Sequence, residues 1–517
     1  MKHFLIAIAG LVVAPFAMAQ PGLHYTIAPD TTDWNGFLVT LTIEGELDKK
    51  TNYYQFAATA PGTYQTMNMG RYVTDFVVID DRQRQRRMRQ AGMNRWEIRK
   101  ANKIRQIQYR IAETFDTPVQ EDPIYPMAGS SLEPNHALIS PHALIGYPKG
   151  MQQAPVTVTL DMPEDWTAAT ALELIDGRYQ ARNYDHLVDS PILTGMLTGA
   201  DTSIADTQVE VYAYSEHGLI SADTLLGSMH NMLAAAKDFL ITLPVNRYTF
   251  LFHFEENPPE PQGAWEHQQS SEYVYPEQKP DADYLAEVRD VAAHEFFHIV
   301  TPLNLHSEKI ETFNFVEPDP SLHLWLYEGV TEWATQALQV RGGLLTADEY
   351  LSVLTQQYLV DQYYFDPSWS LKKLAMESYS PEGQEQYGNI YYKGALIGAL
   401  LDLKLLKLSG GVRGLREVLL DLIEEYGVGK PISEESFIQD FVAATYPEIQ
   451  GFFDAYVLNA EPLPMAEYFG YVGVDWHAPK PAAEGERADM PSMSWLETPN
   501  EEQEALRKAW LSNLPRY

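Results

Sequence analysis

The sequence contains no cysteine among its 517 residues. Disulfide bridges and a lipid-modified cysteine are therefore excluded, so the folded core has to stabilise any exported form of the chain without covalent cross-links. Basic residues are few as well, with 37 Lys and Arg against 71 Asp and Glu and a formal net charge of −34. Such an acidic chain argues against nucleic acid or an anionic membrane as a partner.

Long apolar runs do not occur after the N-terminus, so no later segment predicts a membrane-spanning helix of about 20 residues. The first 19 residues combine a polar start at Lys2 and His3, an apolar run over 4–16 and the small-x-small sequence of 17–19. This combination is typical of a secretory signal peptide, and its apolar run is short for a membrane anchor. We expect export, to the periplasm or as a secreted protein, with no stable membrane insertion after removal of the signal.

The overall composition, 45% hydrophobic, 12% aromatic and 21% charged, is typical of a globular protein with room for several domains. Short runs of alternating apolar and polar residues, such as 37–43 and 156–160, predict β-strands in the N-terminal part. Helical periodicity dominates later, for example over 222–240 and 396–408. We therefore predict an α+β multidomain fold. Its predicted units are a signal peptide (1–19), an N-terminal β-sandwich-like domain (20–200), a mixed unit that carries the chemistry (201–340), a helical part (341–476) and a tail (477–517).

The sequence His294-Glu295-Phe296-Phe297-His298 carries the clearest chemical signal. Two histidines four residues apart lie on one face of a helix, where both imidazoles can bind one Zn²⁺. Glu295 then lies roughly 100° further round the helix, close enough to act on a water in the open position of the metal. The two phenylalanines imply burial, and a buried histidine pair requires a partner, which disfavours the alternative of two surface histidines.

A catalytic zinc site uses three protein ligands and leaves the fourth position open. Candidates for the third ligand are Glu328, His306, Glu308, Glu311 and His323. Glu328 is favoured by its surroundings, because Glu332 follows four residues later on the same helical face. One carboxylate can bind zinc while the other accepts a hydrogen bond from a ligand histidine, although Glu332 can also be a solvated helix charge. The pattern predicts one zinc per chain.

Amide hydrolysis also needs a donor for the oxyanion that develops on the substrate. Tyr391, in the sequence Tyr391-Tyr392-Lys393-Gly394, is a candidate because a phenol donates a hydrogen bond while neutral at pH 7. A pair of tyrosines before a helix is also common in ordinary packing, so both interpretations stay open at this point.

Together these segments resemble the glycyl aminopeptidase family of gluzincin zinc metallopeptidases. The resemblance extends well outside the zinc motif and runs from about residue 23 to residue 475. The segments that carry it are Pro61-Gly62-Thr63-Tyr64, residues 184–193, Gly263-Ala264-Trp265-Glu266-His267, Glu328-Gly329-Val330-Thr331, residues 391–394 and residues 461–464.

The resemblance implies a thermolysin-like catalytic domain, here over 201–340, behind the N-terminal β-domain. It implies that His294, His298 and Glu328 bind zinc. Glu295 is then the general base, and Tyr391 steadies the tetrahedral oxyanion.

The same resemblance assigns substrate binding to Gly263 and Glu266, with Glu266 recognising the free amino group of the substrate. A carboxylate suits this task because an α-ammonium is the charge that marks a chain end. Two departures stand out. Residues 299–306 differ from the sequence that often follows the zinc motif in the family, and about 40 residues after Val474 are too few for the usual C-terminal PDZ domain.

The sequence therefore predicts an exported zinc metallopeptidase with peptide substrates, and an aminopeptidase is favoured. A zinc endopeptidase with the same site follows if Glu266 does not close the cleft at the substrate's N-terminus. The alternative from another class is a catalytically weakened peptide-binding protein, against which the intact Glu295 argues. The preferred N-terminal residue and the oligomeric state stay open.

Overall fold

The computed structural model describes residues 21–117, 122, 124–479 and 490–515, and the predicted signal peptide lies outside them. Strands dominate the first third of the described chain, a mixed sheet with helices follows, and helices dominate the rest. Two hydrophobic cores hold these parts together, one beneath the N-terminal strands and one between the second unit and the helices. The predicted α+β multidomain class is confirmed.

The N-terminal unit consists of sixteen strands and two short α-helices among its described residues. They are β1 (Gly22–Pro29), β2 (Phe37–Glu44), β3 (Tyr53–Gln55), β4 (Val73–Asp80), β5 (Gln85–Arg87), β6 (Gln90–Gly92), β7 (Arg95–Glu97), β8 (Ile104–Ile111), β9 (Ser130–Glu133), β10 (His136–Ile139), α1 (Pro141–Leu144), β11 (Tyr147–Pro148), β12 (Val156–Leu160), β13 (Thr167–Thr170), β14 (Glu173–Ile175), β15 (Arg178–Ala181), α2 (Tyr184–Val188) and β16 (Ile192–Gly195).

Three sheets are built from these strands, in the orders β14-β15-β12-β1-β2-β8-β4-β5, β13-β16-β10-β9 and β11-β3-β7-β6. Alternation sets the buried face of the largest sheet. In β1, Leu23, Tyr25 and Ile27 are buried while the residues between them are partly exposed. This period of two places every second side chain against the core, which is why these segments form half-buried strands.

The second unit is a five-stranded sheet with helices on one side, in the order β17-β18-β19-β21-β20. Its first strand begins at Thr198, close to the predicted boundary at 200. Its elements are β17 (Thr198–Ile204), β18 (Thr207–Ser215), α3 (Ala222–Leu240), β19 (Arg247–Glu255), β20 (Gly263–His267), β21 (Ser270–Pro276), α4 (Ala282–Phe297), α5 (Glu308–Glu311), a π-helical turn (Trp325–Val330) and α6 (Thr331–Arg341).

The third unit is helical and packs around one long buried helix, α10, of 21 residues. Its elements are α7 (Ala347–Tyr363), α8 (Leu371–Met376), α9 (Pro381–Gln386), α10 (Asn389–Ser409), α11 (Leu415–Glu425), α12 (Phe437–Ala444), α13 (Ile449–Phe452), a π-helical turn (Phe453–Leu458), α14 (Met465–Gly470), β22 (Val474–His477), β23 (Ser492–Trp495) and α15 (Glu501–Trp510). Among the residues described, no helix combines the length and apolar character needed to cross a bilayer.

The prediction of a tail over 477–517 is wrong for the residues that the structure describes. β23 pairs with β22, and α15 buries Trp510 to 1% exposure against the helical core. Arg507 Nε donates a hydrogen bond to the Val472 carbonyl (2.9 Å), and Arg341 Nε donates to the Trp510 carbonyl (3.0 Å). The apolar face of α15 finds its partners on segments distant in sequence, which a local pattern does not report. Residues 480–489 of the predicted tail lie outside the described residues.

The first two units share an extensive boundary. Trp265, Leu251 and Val274 from the second sheet belong to the hydrophobic core of the N-terminal unit, as do Phe313 and Phe315. The N-terminal strands are therefore packed directly against the sheet that carries β20, and residues of both units can line one cleft.

Candidate metal centre and active site

Helix α4 presents the two histidines of the motif. Asp281 caps its N-terminus by accepting a hydrogen bond from the backbone N–H of Tyr284 (3.0 Å). Phe296 is buried against the sheet, with its ring 4.8 Å from that of Tyr248. Packing on this side turns the opposite face of the helix, with His294 and His298, towards the π-helical turn and α10.

Glu328 lies on the π-helical turn, opposite the two histidines. Two glycines allow this turn to approach α10: a Cβ on Gly329 would lie 2.7 Å from the Cα of Gly394, and one on Gly394 would lie 2.5 Å from the Cα of Gly329. No side chain fits at either position, so the backbones make direct contact there. The approach brings Glu328 and Tyr391 into the same site. Helix interruptions of the π type are frequent at functional sites.

The ligand atoms of His294, His298 and Glu328 all lie within 4.8 Å of one another, and all three residues are buried. The Oε2 atom of Glu328 is 3.5 Å from Nε2 of His294 and 3.6 Å from Nε2 of His298. Neighbouring ligands of a tetrahedral zinc ion with bonds of about 2.0–2.1 Å are separated by roughly 3.3 Å. The spacing therefore fits one zinc ion between the three side chains.

The tautomers of the two rings agree with this fit. His294 donates its Nδ1–H to Oε2 of Glu332 (2.8 Å), and His298 donates its Nδ1–H to the carbonyl of Thr301 (2.7 Å). Neutral rings that donate through Nδ1 carry a lone pair on Nε2. Both lone pairs then face the carboxylate of Glu328, an arrangement that a cation between them stabilises.

The carboxylates of the site attract positive charge: burial disfavours a charged His294, but the carboxylates hydrogen-bonded to it outweigh burial and raise its pKa well above the usual range. Burial, and then the charges of Glu328 and Glu295, raise the pKa of Glu266 well above its usual range. Burial raises the pKa of Glu295 to about 8, against the lowering effect of His294. Burial lowers the pKa of His298 to about 4. Three buried carboxylates around two histidines make a strong site for cations.

Glu332 lies beside His294, where the sequence left two roles open. Burial on its own would raise the pKa of Glu332, but the hydrogen bond from His294 outweighs it and lowers the pKa. Gln336 Nε2 donates to the other carboxylate oxygen of Glu332 (2.8 Å). The carboxylate is thus held on both sides and orients His294 rather than pointing into solvent.

Tyr391 lies on the first turn of α10, with its ring centroid 5.6 Å from that of His294. Burial, followed by the charge of Glu328, raises the pKa of Tyr391 well above its usual range, so its phenol stays protonated and able to donate. The hydroxyl of Tyr387 lies 3.5 Å from that of Tyr391. Sequence reasoning did not identify Tyr387, although its spacing of four residues from Tyr391 is the signal for a shared helical face.

The opposite side of the site is formed by β20 and by a loop from the N-terminal unit. Glu266 is 8% exposed and faces the metal-ligand set. Gly62 has φ of +79°, and a Cβ there would lie 2.4 Å from Oε1 of Glu266. Trp265 Nε1 donates a hydrogen bond to the carbonyl of Pro61 (3.1 Å). The loop around Gly62 thus packs directly against Glu266. The sequence indicated this loop only through the family resemblance of residues 61–64.

One cavity of about 200 Å³ unites these residues. Among its lining residues are His294, Glu295, His298, Glu328, Tyr391, Glu266 and Gly62. A second cavity of about 270 Å³ shares Gly62, Trp265 and Glu266 with it. Glu266 therefore lies at the boundary between the two cavities, at the end of the space in front of the metal-ligand set.

Gly263, predicted to bind substrate, does not line the cavity of the metal-ligand set, although its neighbours Gln262 and Ala264 do. A Cβ on Gly263 would lie 2.3 Å from Cε of Met127, which lines the cavity from the N-terminal unit. In the structure Gly263 therefore makes room for the packing of that wall.

The other candidates for the third ligand have different partners. His306 Nε2 lies 2.6 Å from Glu311 Oε2, and His323 Nε2 lies 3.1 Å from the carbonyl of Glu434. Glu308 accepts a hydrogen bond from the backbone N–H of Glu434 (2.9 Å). The structure brings Glu328, and none of these, into the set with the motif histidines.

Comparison with known families and structures gives consistent matches. The profile of the Peptidase M61 N-terminal domain matches residues 24–196, and that of the M61 glycyl aminopeptidase matches residues 287–397. The crystal structure of an aminopeptidase N family protein from Idiomarina loihiensis is similar, with a TM-score of 0.76 at 20% identity over 90% of this chain and 81% of that chain.

The M1 zinc metallopeptidase from Deinococcus radiodurans is a more distant neighbour, with a TM-score of 0.53 at 14% identity over 86% of this chain and 94% of that chain. A mutant of that protein bound to a Tyr-Ser-Ala substrate gives the same values. At these identities the structural likeness concerns the fold alone. Among curated proteins, none matches the chain.

The fold and the two family matches place the chain among the peptidases. It belongs to the M61 glycyl aminopeptidase family, as the sequence motifs predicted.

Proposed function

We propose that this protein is a zinc aminopeptidase of the gluzincin type, which hydrolyses the first peptide bond of substrates with a free N-terminus. The observation that carries the proposal is the position of Glu266. It lies in the same cavity as His294, His298 and Glu328, at the end that the Gly62 loop encloses. The proposed catalytic residues and the residue that recognises the chain end then line the same cavity.

His294, His298 and Glu328 hold the zinc ion, as the lone pairs on the two Nε2 atoms and the ligand spacing support. When bound, zinc acts as a Lewis acid that activates water and polarises the substrate carbonyl. The choice of zinc agrees with the description of two structural neighbours as zinc metallopeptidases.

Glu295 acts as general base and then as general acid. It lines the cavity and belongs to a set with Glu266 and His298 whose ligand atoms lie within 4.8 Å of one another. In this position its carboxylate takes a proton from the attacking water and passes it to the leaving amine. Because burial raises the pKa of Glu295, the carboxylate is a stronger base than one in solvent. The intact Glu295 argues against a peptide-binding protein without turnover.

Tyr391 donates its hydroxyl hydrogen to the oxyanion of the tetrahedral intermediate. Its phenol is neutral and partly buried at the edge of the cavity, with its ring near that of His294. A donor fixed in a cavity with little water stabilises developing negative charge more than one in bulk solvent.

Glu266 pairs with the α-ammonium of the substrate. The buried carboxylate has no basic side chain beside it among the described ion pairs, and Glu328 and Glu295 add negative charge nearby. An incoming ammonium group supplies the missing positive charge. The pairing of Glu266 with the ammonium group thereby selects the first residue of a peptide.

We also propose that the protein acts after export, in the periplasm or outside the cell. This proposal is supported by the signal-peptide pattern of residues 1–19, with its polar start, apolar run and small-x-small sequence.

The test compares matched peptides that differ only in N-terminal acetylation, with zinc content measured by elemental analysis. Wild-type protein should cleave the free peptides roughly 10²–10³-fold faster, because an acetyl group leaves the buried carboxylate of Glu266 unpaired. In Glu266→Gln this preference should shrink through slower cleavage of free peptides. Equal cleavage of free and acetylated peptides by wild-type protein would replace the aminopeptidase with an endopeptidase that uses the same zinc site.

A further inference from the structure

A second cluster of histidine and glutamate lies at the boundary between the N-terminal unit and the catalytic sheet. His136 begins β10 of the N-terminal unit, whereas His253 and Glu255 lie on β19 of the second sheet. The two rings meet edge to face with centroids 4.8 Å apart, and both histidines are fully or almost fully buried. None of these residues lines the cavity of the peptidase site.

The three ligand atoms of this cluster are as close together as those of the peptidase site. Oε1 of Glu255 lies 3.2 Å from Nε2 of His136 and 2.8 Å from Nε2 of His253, and all three ligand atoms lie within 4.8 Å of one another. The separation to His136 is close to the roughly 3.3 Å between neighbouring ligands of tetrahedral zinc. The shorter separation to His253 requires a small rotation of the carboxyl group.

Hydrogen bonds around His136 determine which of its nitrogens carries a proton. Its Nδ1 lies 3.0 Å from Oδ1 of Asn135, and Nδ2 of Asn135 donates to the hydroxyl of Tyr214 (3.2 Å). Oδ1 is therefore the acceptor, and His136 donates through Nδ1–H. Its Nε2 then presents a lone pair to the carboxylate of Glu255. A lone pair that faces a carboxylate oxygen at 3.2 Å is stabilised by a proton or a cation between the two atoms, and the hydroxyl of Ser131 lies 3.4 Å from the same Nε2.

His253 and the surrounding side chains are compatible with a cation. Nδ1 of His253 has no hydrogen-bond partner among the described residues, and Nε2 lies at hydrogen-bond distance from Oε1 of Glu255 (2.8 Å). A metal ion bound at Nε2 takes the place of the proton shared with the carboxylate and moves the ring proton to Nδ1. The rings of Tyr214 and Phe115 stack on His136 and His253, with centroids 3.7 and 5.7 Å apart respectively, and hold both imidazoles in place. Fixed rings lose little freedom when they bind a metal.

Glu133 is the cross-strand neighbour of His136. In the β9–β10 pair it lies directly opposite His136, so both side chains lie on the same face of the sheet. The side chain of Glu255 is 16% exposed, which gives an ion a route from solvent. Two imidazole nitrogens with one or two carboxylates are a donor set typical of Zn²⁺.

We propose that His136, His253 and Glu255 form a second, structural binding site for a divalent transition-metal ion, with Zn²⁺ favoured by its donors. A metal here connects β10 to β19 and so cross-links the N-terminal unit to the catalytic sheet. The cross-link replaces a disulfide that a chain without cysteine cannot form. The proposal departs from the single zinc expected from the sequence, and it is independent of the proposed peptidase activity.

The test is metal stoichiometry in purified full-length protein that has been loaded with Zn²⁺ and dialysed. Wild-type protein should hold two zinc ions per chain, and His294→Ala/His298→Ala should hold one. Adding Glu255→Gln to that double variant should remove the last ion, whereas adding Glu256→Gln, an exposed neighbour, should not. One ion in wild-type protein and none in the double variant would overturn the proposal.

A second measurement covers the case in which a variant folds poorly. In the His294→Ala/His298→Ala background, added Zn²⁺ should raise the midpoint of thermal unfolding, because an ion that binds only the folded state stabilises it. Bound Co²⁺ should give the visible absorption of a tetrahedral site. Both signals should disappear with His136→Asn or Glu255→Gln. Absence of both signals in the parent double variant would show that the cluster is an ordinary hydrogen-bonded group.

Discussion

The cavity has two walls that were assembled in different ways. The helical wall, consisting of His294, Glu295, His298, Glu328 and Tyr391, comes from α4, the π-helical turn and α10. These elements pack within one hydrophobic core, and the Gly329–Gly394 approach fixes their spacing. The geometry of the chemical groups thus depends on contacts among these helices and on the packing of α4 against the second sheet.

The strand wall consists of Gly62, Trp265 and Glu266, and it joins two units of the protein. Gly62 belongs to a loop of the N-terminal unit, while Trp265 and Glu266 lie on β20 at the edge of the second sheet. The residues proposed for the reaction and those proposed for substrate selection are therefore positioned by separate parts of the fold. Changes in the helical wall should therefore affect kcat, and changes in the strand wall should affect selectivity.

Replacement of the general base should have the largest effect. Glu295→Gln keeps the shape of the side chain but cannot accept the proton of the attacking water, so kcat should fall by about 10²–10⁴-fold. Zinc content should not change, since Glu295 is not in the set of His294, His298 and Glu328. Glu287→Gln, on the exposed face of the same helix, should have wild-type rates. A near-normal kcat in Glu295→Gln would show that the base lies elsewhere.

Removal of the proposed oxyanion donor should come next. Tyr391→Phe should lower kcat by about 10²–10³-fold with a smaller change in KM, because the hydrogen bond forms in the transition state. Tyr392→Phe is the matched control, since that residue is 38% exposed and packs near Phe365. Steady-state kinetics of both variants test the assignment, and a comparable loss in the control would contradict it.

A smaller effect is expected from the residue that orients a ligand. Glu332→Gln weakens the hydrogen bond from His294 Nδ1 and should lower zinc affinity by about 10–100-fold, as measured by competition with a chelator. Gln336→Ala removes only the neighbour of the other carboxylate oxygen and should change the affinity less. Unchanged affinity in Glu332→Gln would mean that Thr301 and packing suffice to orient the histidines.

The smallest effect on turnover should come from the strand wall. Gly62→Ala places a Cβ within 2.4 Å of Oε1 of Glu266, so the carboxylate has to move and the preference for free over acetylated peptides should fall several-fold. Gly218→Ala is the control, because Gly218 also has a positive φ (+70°) but no atom within 4 Å of the added Cβ. Both variants should lose about 1–2 kcal/mol of unfolding free energy from the strained backbone. Equal selectivity in the two variants would separate Gly62 from substrate recognition.

Local patterns predicted several parts of the fold well. Helix α3 spans the residues whose periodicity predicted it, and the alternation over 37–43 and 156–160 corresponds to strands β2 and β12. The described part of the predicted tail was mispredicted because its contacts are not local. The apolar face of α15, which includes Trp510, is satisfied by segments more than 30 residues away, and no local pattern reports such partners.

The sequence by itself determined the centre of the helical wall. A helix repeats every 3.6 residues, so the spacing of His294 and His298 sets both on one face of α4 before any tertiary contact forms. Glu295 is placed by the same repeat. Glu328, by contrast, lies on a π-helical turn whose approach to α10 is a tertiary contact.

Only the tertiary structure decided the strand wall and the second cluster. Gly62 and Glu266 are separated by about 200 residues in the chain and belong to different units of the protein. His136 and His253 meet only because β10 packs beside β19. Periodicity carries information over a few turns or strand residues, whereas contacts of this kind depend on how whole units pack against one another.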